Sequence, residues 1–438
     1  MRFHTSIASL ALLQNSIVAL AATSGTFNVL TYNVAGLPEL ISSSNPKENT
    51  PYISAKLTGY NIINVQEDFN YHAALYASNN HPHGTSTSGG VPFGDGLNTL
   101  SDYPWTDLER VKWKDCNANS GDCLTPKGYT FMRLRLDEGV WVDVYNLHTD
   151  AGGDANDLKA RASNIAQVVQ AIATNSVGMP VIVMGDTNIR YTTAGDSIRA
   201  LVQGAGLTDA WVKHIRNGVE PTQGTPALGC PFPFPSGTDQ TCETVDKILY
   251  RSSPAISLTS TAFSNDHEVF LHPKTGVPLS DHYPLRANMV WSASPSFRLG
   301  DEFGGPHGSY FHDLPLLTAG TKISSIALAG GNRLDRISVR TGTGSVLTHG
   351  GSGGSEKNLT LEGGDRVVEV MACSAQYNSR TRIFYLRVKT AAGKQVETGK
   401  TTTSCKTWTA QAGEELKGFW GRAGDNIDRV GPIWGKSS

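Results

Sequence analysis

The hexapeptide SDHYPL, Ser280 to Leu285, sets an acid beside a histidine at the entry to an apolar run. That is where a strand could deliver a general base. Similar polar residues stand at or just past the ends of other apolar runs. Asn33 follows FNVLTY, Glu67 follows NIINVQ, and His148 closes VWVDVYNL. Asp186 and Asn188 follow PVIVMG, Asp246 begins DKILY, and Asp281-His282 opens the final run. Any one of them alone reads as a turn residue. Together they are two histidines, four carboxylates and two amides in one local setting, which turns alone do not explain.

Residue type indicates the chemistry. Glu67, Asp281 and Asn33 offer hard oxygen ligands suited to Mg2+. Zinc would draw more nitrogen or sulfur. Two histidines on opposite sides of a phosphodiester can divide the work, one taking a proton from water and the other attending the departing oxygen. A carboxylate beside the base fixes its tautomer and stabilises the imidazolium. The inventory implies hydrolysis of a phosphate ester.

These residues must be positioned by strands. FNVLTYNV (27–34), NIINVQE (61–67), YTFMRLRL (129–136), VWVDVYNLH (140–148) and MPVIVMGD (179–186) read as strands bounded by turns. DANDLKARASNIAQVVQAIAT (154–174) carries apolar residues at helical spacing, with Asp154 or Asn156 as its cap. Strands interleaved with helices predict an α/β sandwich over residues 25–290, whose strand ends converge on one crevice. A Ser/Pro-containing link at 291–297 follows, and residues 298–438 lose the helical signal. There AGGNRLDRISVR (329–340) and RAGDNIDRVGPIW (422–434) share a Gly-x-x-x-Asp-Arg core, which predicts a pseudo-symmetric all-β unit.

The 438 residues allow two or three domains, and 17% charged residues with a net charge of −2 provide no overall pull on nucleic acid or anionic lipid. At the N-terminus, Arg2 precedes an apolar segment ending at Ala19-Leu20-Ala21, the pattern of a cleaved secretory signal over 1–21. No later segment is apolar enough to span a bilayer, so an exported protein is expected. Six cysteines fit that address. Of fifteen possible pairings, the nearest-neighbour scheme is Cys116–Cys123, Cys230–Cys242 and Cys373–Cys405. Asn358-Leu359-Thr360 is a glycosylation sequon.

The blocks TYNVAGLP, NVQE, YNLHTD, GDTN, VDKILY and SDHYPL, in that order, resemble the motifs of the endonuclease/exonuclease/phosphatase superfamily, the deoxyribonuclease I-like proteins. The resemblance implies a four-layered α/β sandwich with a magnesium-dependent phosphoesterase site. It assigns Glu67 as principal metal ligand, Asn33 beside it, and Asp281 at the metal. His148 becomes the acid-side histidine, while Asp186 and Asn188 orient water and phosphate. Asp246 orients the base, His282. The segment from Asp95 to Leu136, with a cysteine pair preceding Lys127-Gly128-Tyr129, resembles the secreted bacterial neutral sphingomyelinases. Those enzymes enter the lipid surface through an aromatic hairpin. Candidates here are Phe263, Phe270 and Leu271, or Phe232 and Phe234 in the 230–242 loop. An extracellular nuclease is the alternative, with Lys159, Arg161, Arg190 and Arg199 available for phosphates.

GGPHGSYFHD, AGGNRLDRISV, HGGSGGSEKNLTL and GFWGRAGDNIDRVG resemble jacalin-type lectins, which implies a β-prism of three four-stranded sheets. By that resemblance a carbohydrate site uses Gly424 to Asp428 together with Gly304 or Gly305. Gly331 to Asp335 is either a second site or a structural turn. A phosphodiesterase carried to a glycan by its lectin is the reading the two regions imply, against a lectin with an inactive sandwich.

Overall fold

The computed structural model describes residues 22–42, 44–118, 121–235 and 240–437, so the expected signal at 1–21 lies outside the described residues. Two six-stranded sheets form the first domain. One runs Ile256–Asn265, Leu285–Ala293, Ser24–Asn33, Ile62–Gln66, Asn98–Ser101, His83–Gly84. The other runs Trp105–Lys112, Gly128–Asp137, Val140–His148, Val181–Asp186, Asp246–Arg251, Thr208–Asp209.

Strand alternation builds the layers. Val29, Val142, Val144, Ile182, Met184 and Ile248 point between the sheets. Their neighbours Tyr145, Leu147, Val181 and Val183 point outward to Ile165, Val168 and Ile172 of the helix Ala155–Asn175. Leu30, Tyr32, Ile63 and Val65 meet Ile53 and Leu57 on the other side. The result is helix, sheet, sheet, helix: the four-layered sandwich. Asp154 caps the long helix by accepting from the N–H groups of Asn156 and Asp157, while Asp157 returns a bond to the Asp154 N–H.

The second domain is all-β: three antiparallel sheets, two four-stranded and one on a path of four strands with the short strand Phe303–Gly304 added. Trp291 and Phe297, both within the expected link, belong to strands of the two domains. Trp291 pairs with Gly25 and Phe297 with Gly435, so only 294–296 lie between strands. The Ser/Pro content hid the alternation at both ends.

The domains are packed against each other. Asp301 accepts from Arg135 Nε (2.9 Å), the Gly139 N–H (2.8 Å) and Trp141 Nε1 (3.0 Å). Asp107 accepts from Arg429 at 2.6 and 3.0 Å and from the Tyr310 hydroxyl at 2.8 Å. Trp141 meets Trp420 edge to face, 6.2 Å between centroids, inside one continuous apolar core. The disulfides are Cys116–Cys123, Cys230–Cys242 and Cys373–Cys405. Among the described residues no helix is long and apolar enough to cross a membrane.

Candidate functional site

Register explains the convergence. Asn33 lies opposite Gln66 in a parallel pair, which puts Glu67 just beyond the same sheet end. In the facing sheet His148, Asp186 and Asp246 fall in one row, His148 opposite Asp186 and Asp186 opposite Asp246. Leu285 pairs with Thr31, so the Ser280–Pro284 segment arrives at that end too. The Ser280 hydroxyl ties it down by donating to the Asn33 carbonyl at 2.7 Å.

Asp186 is the hub. Its Oδ2 lies 3.3 Å from His148 Nε2, 3.6 Å from His282 Nε2 and 3.2 Å from Asn33 Nδ2. The Asn188 N–H donates to Asp186 Oδ1 at 3.0 Å, a turn made possible by the left-handed φ of 50° at Asn188. His282 Nδ1 is 3.1 Å from Asp246 Oδ2. With the proton at Nδ1, the Nε2 lone pair is free to act as a base.

The two histidines are driven apart. Burial alone would lower His282, but Asp246 and Asp186 outweigh it and hold the imidazole well above its ordinary pKa. His148 is pushed down to about 3 by burial and by the Lys127 ammonium. Lys127 Nζ stands 3.1 Å from His148 Nε2 and is ion-paired with Asp122, which the Cys116–Cys123 loop presents. Asp122 also accepts the Ala151 N–H at 3.0 Å. Lys127 and Asp122 were not among the expected site residues. Their signal was available: a lone lysine directly before the buried strand Gly128–Asp137.

Asn33 donates through Nδ2 to Glu67 Oε1 at 3.1 Å, while its own Oδ1 accepts the Ala35 N–H at 3.0 Å. The amide thus turns its nitrogen toward the acids. Glu67 has a left-handed φ of 58°, held where its carbonyl accepts the Gly36 and Phe69 N–H groups. A Cβ on residue 36 would sit 2.5 Å from that carbonyl oxygen. Burial raises the Glu67 carboxyl above the usual range. A half-buried carboxylate whose charge desolvation opposes is a fit partner for a cation. Asp281 is exposed and lines a cavity of about 410 Å3 with Asn188, Arg190, Asp246 and His282. Asp186, Asp246 and His282 also bring ligand atoms within 4.8 Å of one another, but His282 and Asp246 are already bonded to each other.

Phe270 is buried against Tyr32 (4.9 Å between centroids), so it is not on the surface. Phe234 is buried against His267 and Tyr283, whereas Phe232 is 51% exposed. Val269, Val277, Leu40 and Phe93 are exposed on loops on the site's side of the sheets.

In the second domain Asp428 is buried and ion-paired with Arg382, and its carbonyl accepts the Gly305 N–H at 2.8 Å. Gly424 is exposed. Asp335 accepts from Asn426, joining the two repeated loops.

Residues 40–221 match the family model described as Endonuclease/Exonuclease/phosphatase family 2, and 301–433 match the Jacalin-like lectin domain. Asn33, Asp246, Asp281 and His282 fall outside the first match and join it through strand pairing. A sphingomyelinase of Mycobacterium tuberculosis is 42% identical over 270 residues, covering 60% of this chain and 52% of that protein. The chain spans about half the length of the curated relatives it matches. Among solved structures, sphingomyelinase C from Streptomyces griseocarneus is 19% identical with TM-score 0.43, covering 60% of this chain and 99% of that one. Malaysian banana lectin is 23% identical with TM-score 0.29, covering 32% and 97%.

Proposed function

From a chain that carries an endonuclease/exonuclease/phosphatase domain and a jacalin-like lectin domain, we infer an exported, magnesium-dependent phosphodiesterase that acts on a sphingomyelin-type lipid and is held at a glycan-bearing surface. One observation carries the hydrolytic reading: Asp186 Oδ2 lies within 3.6 Å of both histidine Nε2 atoms, whose environments differ in opposite directions.

In its neutral form, with the proton at Nδ1, His282 takes the proton of a water through Nε2 as the water oxygen bonds to phosphorus. Asp246 at Nδ1 stabilises the imidazolium, so the base form is favoured as pH rises. Asp186 and the Asn188 amide orient that water and the phosphate. The bond from phosphorus to the departing oxygen breaks on the opposite side, where the Lys127 charge stabilises the alkoxide until it takes a proton from solvent and His148 offers a neutral hydrogen-bonding nitrogen. Glu67 and Asp281, with Asn33 alongside, would hold a Mg2+ ion that offsets charge on the phosphoryl oxygens.

Surroundings favour lipid over nucleic acid. Arg161 is buried in an ion pair with Asp196, and Arg199 pairs with Glu220, which removes two of the cations a nuclease would use. The exposed Phe232, Val269 and Val277 suit an acyl surface. Three disulfides support an oxidising, extracellular address.

The test offers sphingomyelin vesicles and plasmid DNA at equal protein and Mg2+, with EDTA as control. Release of phosphocholine that EDTA abolishes and Mg2+ restores is expected. Faster cleavage of DNA than of lipid would establish the nuclease instead.

A further inference from the structure

On the lectin reading just proposed, the Gly424–Asp428 loop receives a saccharide, yet its acid is not free for the hydroxyls of a neutral sugar. Asp428 Oδ1 is held by Arg382. Its Oδ2 is buried without a hydrogen-bond partner, against Gly308, where a Cβ would sit 2.6 Å from it.

What faces outward is mainly cationic, with the exposed Asp425 of the same loop as an opposing charge. The hairpin of Val367–Tyr377 and Arg380–Thr390 turns through Asn378 and Ser379, both left-handed at φ 49° and 58°. That turn places exposed Arg380 two residues from Arg382, and Gly305 packs directly on Thr381. From the sister loop, Arg333 lays its guanidinium 4.1 Å over the ring of Tyr377, which is 42% exposed. The crowding is felt within the cluster: burial lowers the Arg382 pKa, and Arg380 and Arg333 lower it further against the opposing pull of Asp425, while Arg333 Nε lies 3.9 Å from Asp335. His307 is lowered by desolvation and then by the same Arg380 and Arg382. An anion bound among like charges relieves their repulsion, and guanidinium forks match carboxylate and sulfate geometry.

We propose that this rim binds an acidic saccharide, whose carboxylate or sulfate docks on Arg333, Arg380 and Arg382 beside Tyr377, in preference to a neutral hexose. Arg382 holds Asp428 through Nη1 and has its Nε without a hydrogen-bond partner, so the rest of its guanidinium can turn to the ligand's anion. The catalytic domain would then be held on surfaces bearing uronate, sialate or sulfate.

Titration calorimetry on the full exported chain, with methyl α-mannoside, a methyl glucuronide and a galactose sulfate, tests this. At least one acidic ligand should bind about tenfold or more tightly than the mannoside, and weaken severalfold between 50 and 500 mM NaCl. Which acidic ligand binds identifies the anion. Arg380→Ala should weaken acidic-sugar binding about tenfold, Arg380→Lys less, both with unchanged melting temperature since Arg380 is on an exposed hairpin end. Mannoside bound at least as tightly as both acidic sugars, or acidic-sugar binding indifferent to Arg380→Ala, overturns the proposal and leaves the lectin reading standing. Absence of binding to all three sinks both.

Discussion

Lys127 Nζ lies 3.1 Å from His148 Nε2, with the Asp122 carboxylate holding the ammonium from the other side. A lysine kept in place by an acid on a disulfide-closed loop is preorganised, and under the proposed mechanism its charge would meet developing negative charge without reorganisation. Lys127→Met should lower kcat on sphingomyelin vesicles by about 10²–10³. On the mechanism proposed above the lysine and histidine act on one oxygen, so adding His148→Ala should lower it by much less than the product of the single effects. Fully multiplicative losses would separate the two roles.

Asp246 reaches only the far nitrogen of His282, so the proposed mechanism gives it orientation and charge, not proton uptake. Asp246→Asn should lower kcat by about 10²–10⁴, with KM little changed. His282→Ala should lose at least as much, and the double variant should be no worse than His282→Ala. A KM-dominated effect of Asp246→Asn would point to substrate binding instead.

Much of this was legible in sequence because polar residues at strand ends interrupt a period-two apolar pattern. Val140–His148 has the bounds that pattern gives, and His148 closes it. The interdomain contacts were not legible. Arg429 follows Asp428 in the repeated Gly-x-x-x-Asp-Arg motif and pairs with Asp107, 322 residues away. The equivalent Arg336 in the other copy bonds Glu356 within its own sheet. The same dipeptide serves two partners, and only the tertiary packing decides which. Nor did the sequence reveal that Phe270 fills the core while Phe232 stays outside, since both are aromatic residues in loops.

The Asp107 cluster predicts that the two domains unfold together. Arg429 and Arg422 both close on this buried acid, which lies on the first domain's edge strand Trp105–Lys112. Replacing it leaves Arg429 with only Glu302 (3.4 Å) and Arg422 with only the more distant Glu109 (3.9 Å), an effect below the roughly 3–5 kcal/mol of a fully unpaired buried charge. Asp107→Asn keeps the shape and tolerates the left-handed φ of 59°. Calorimetry should show one transition for the native chain and a clearly lower melting temperature for the variant. Two well-separated transitions in the native chain would contradict the continuous core.

His312 supplies the pH dependence of that same interface. Its ring packs on Trp420 with 5.4 Å between centroids and against Gly178 of the first domain, and its Nδ1 accepts the Leu314 N–H at 3.2 Å. Nε2 is buried with no partner, and burial, with Arg133 and His349 nearby, pushes the imidazole down to about 3. The unfolded chain would titrate this residue near 6.5. Between those values the unfolded state binds a proton that the folded state refuses, so stability falls as pH drops from about 6.5 toward 3. The loss amounts to a few kcal/mol at most over that window. His312→Asn, whose side-chain oxygen can still accept from Leu314, should be less stable at pH 7.5 through lost packing but should show a shallower decline on acidification. Melting curves at pH 7.5, 6.5, 5.5 and 4.5 for both proteins would decide it, and parallel declines would show that other groups carry the acid sensitivity.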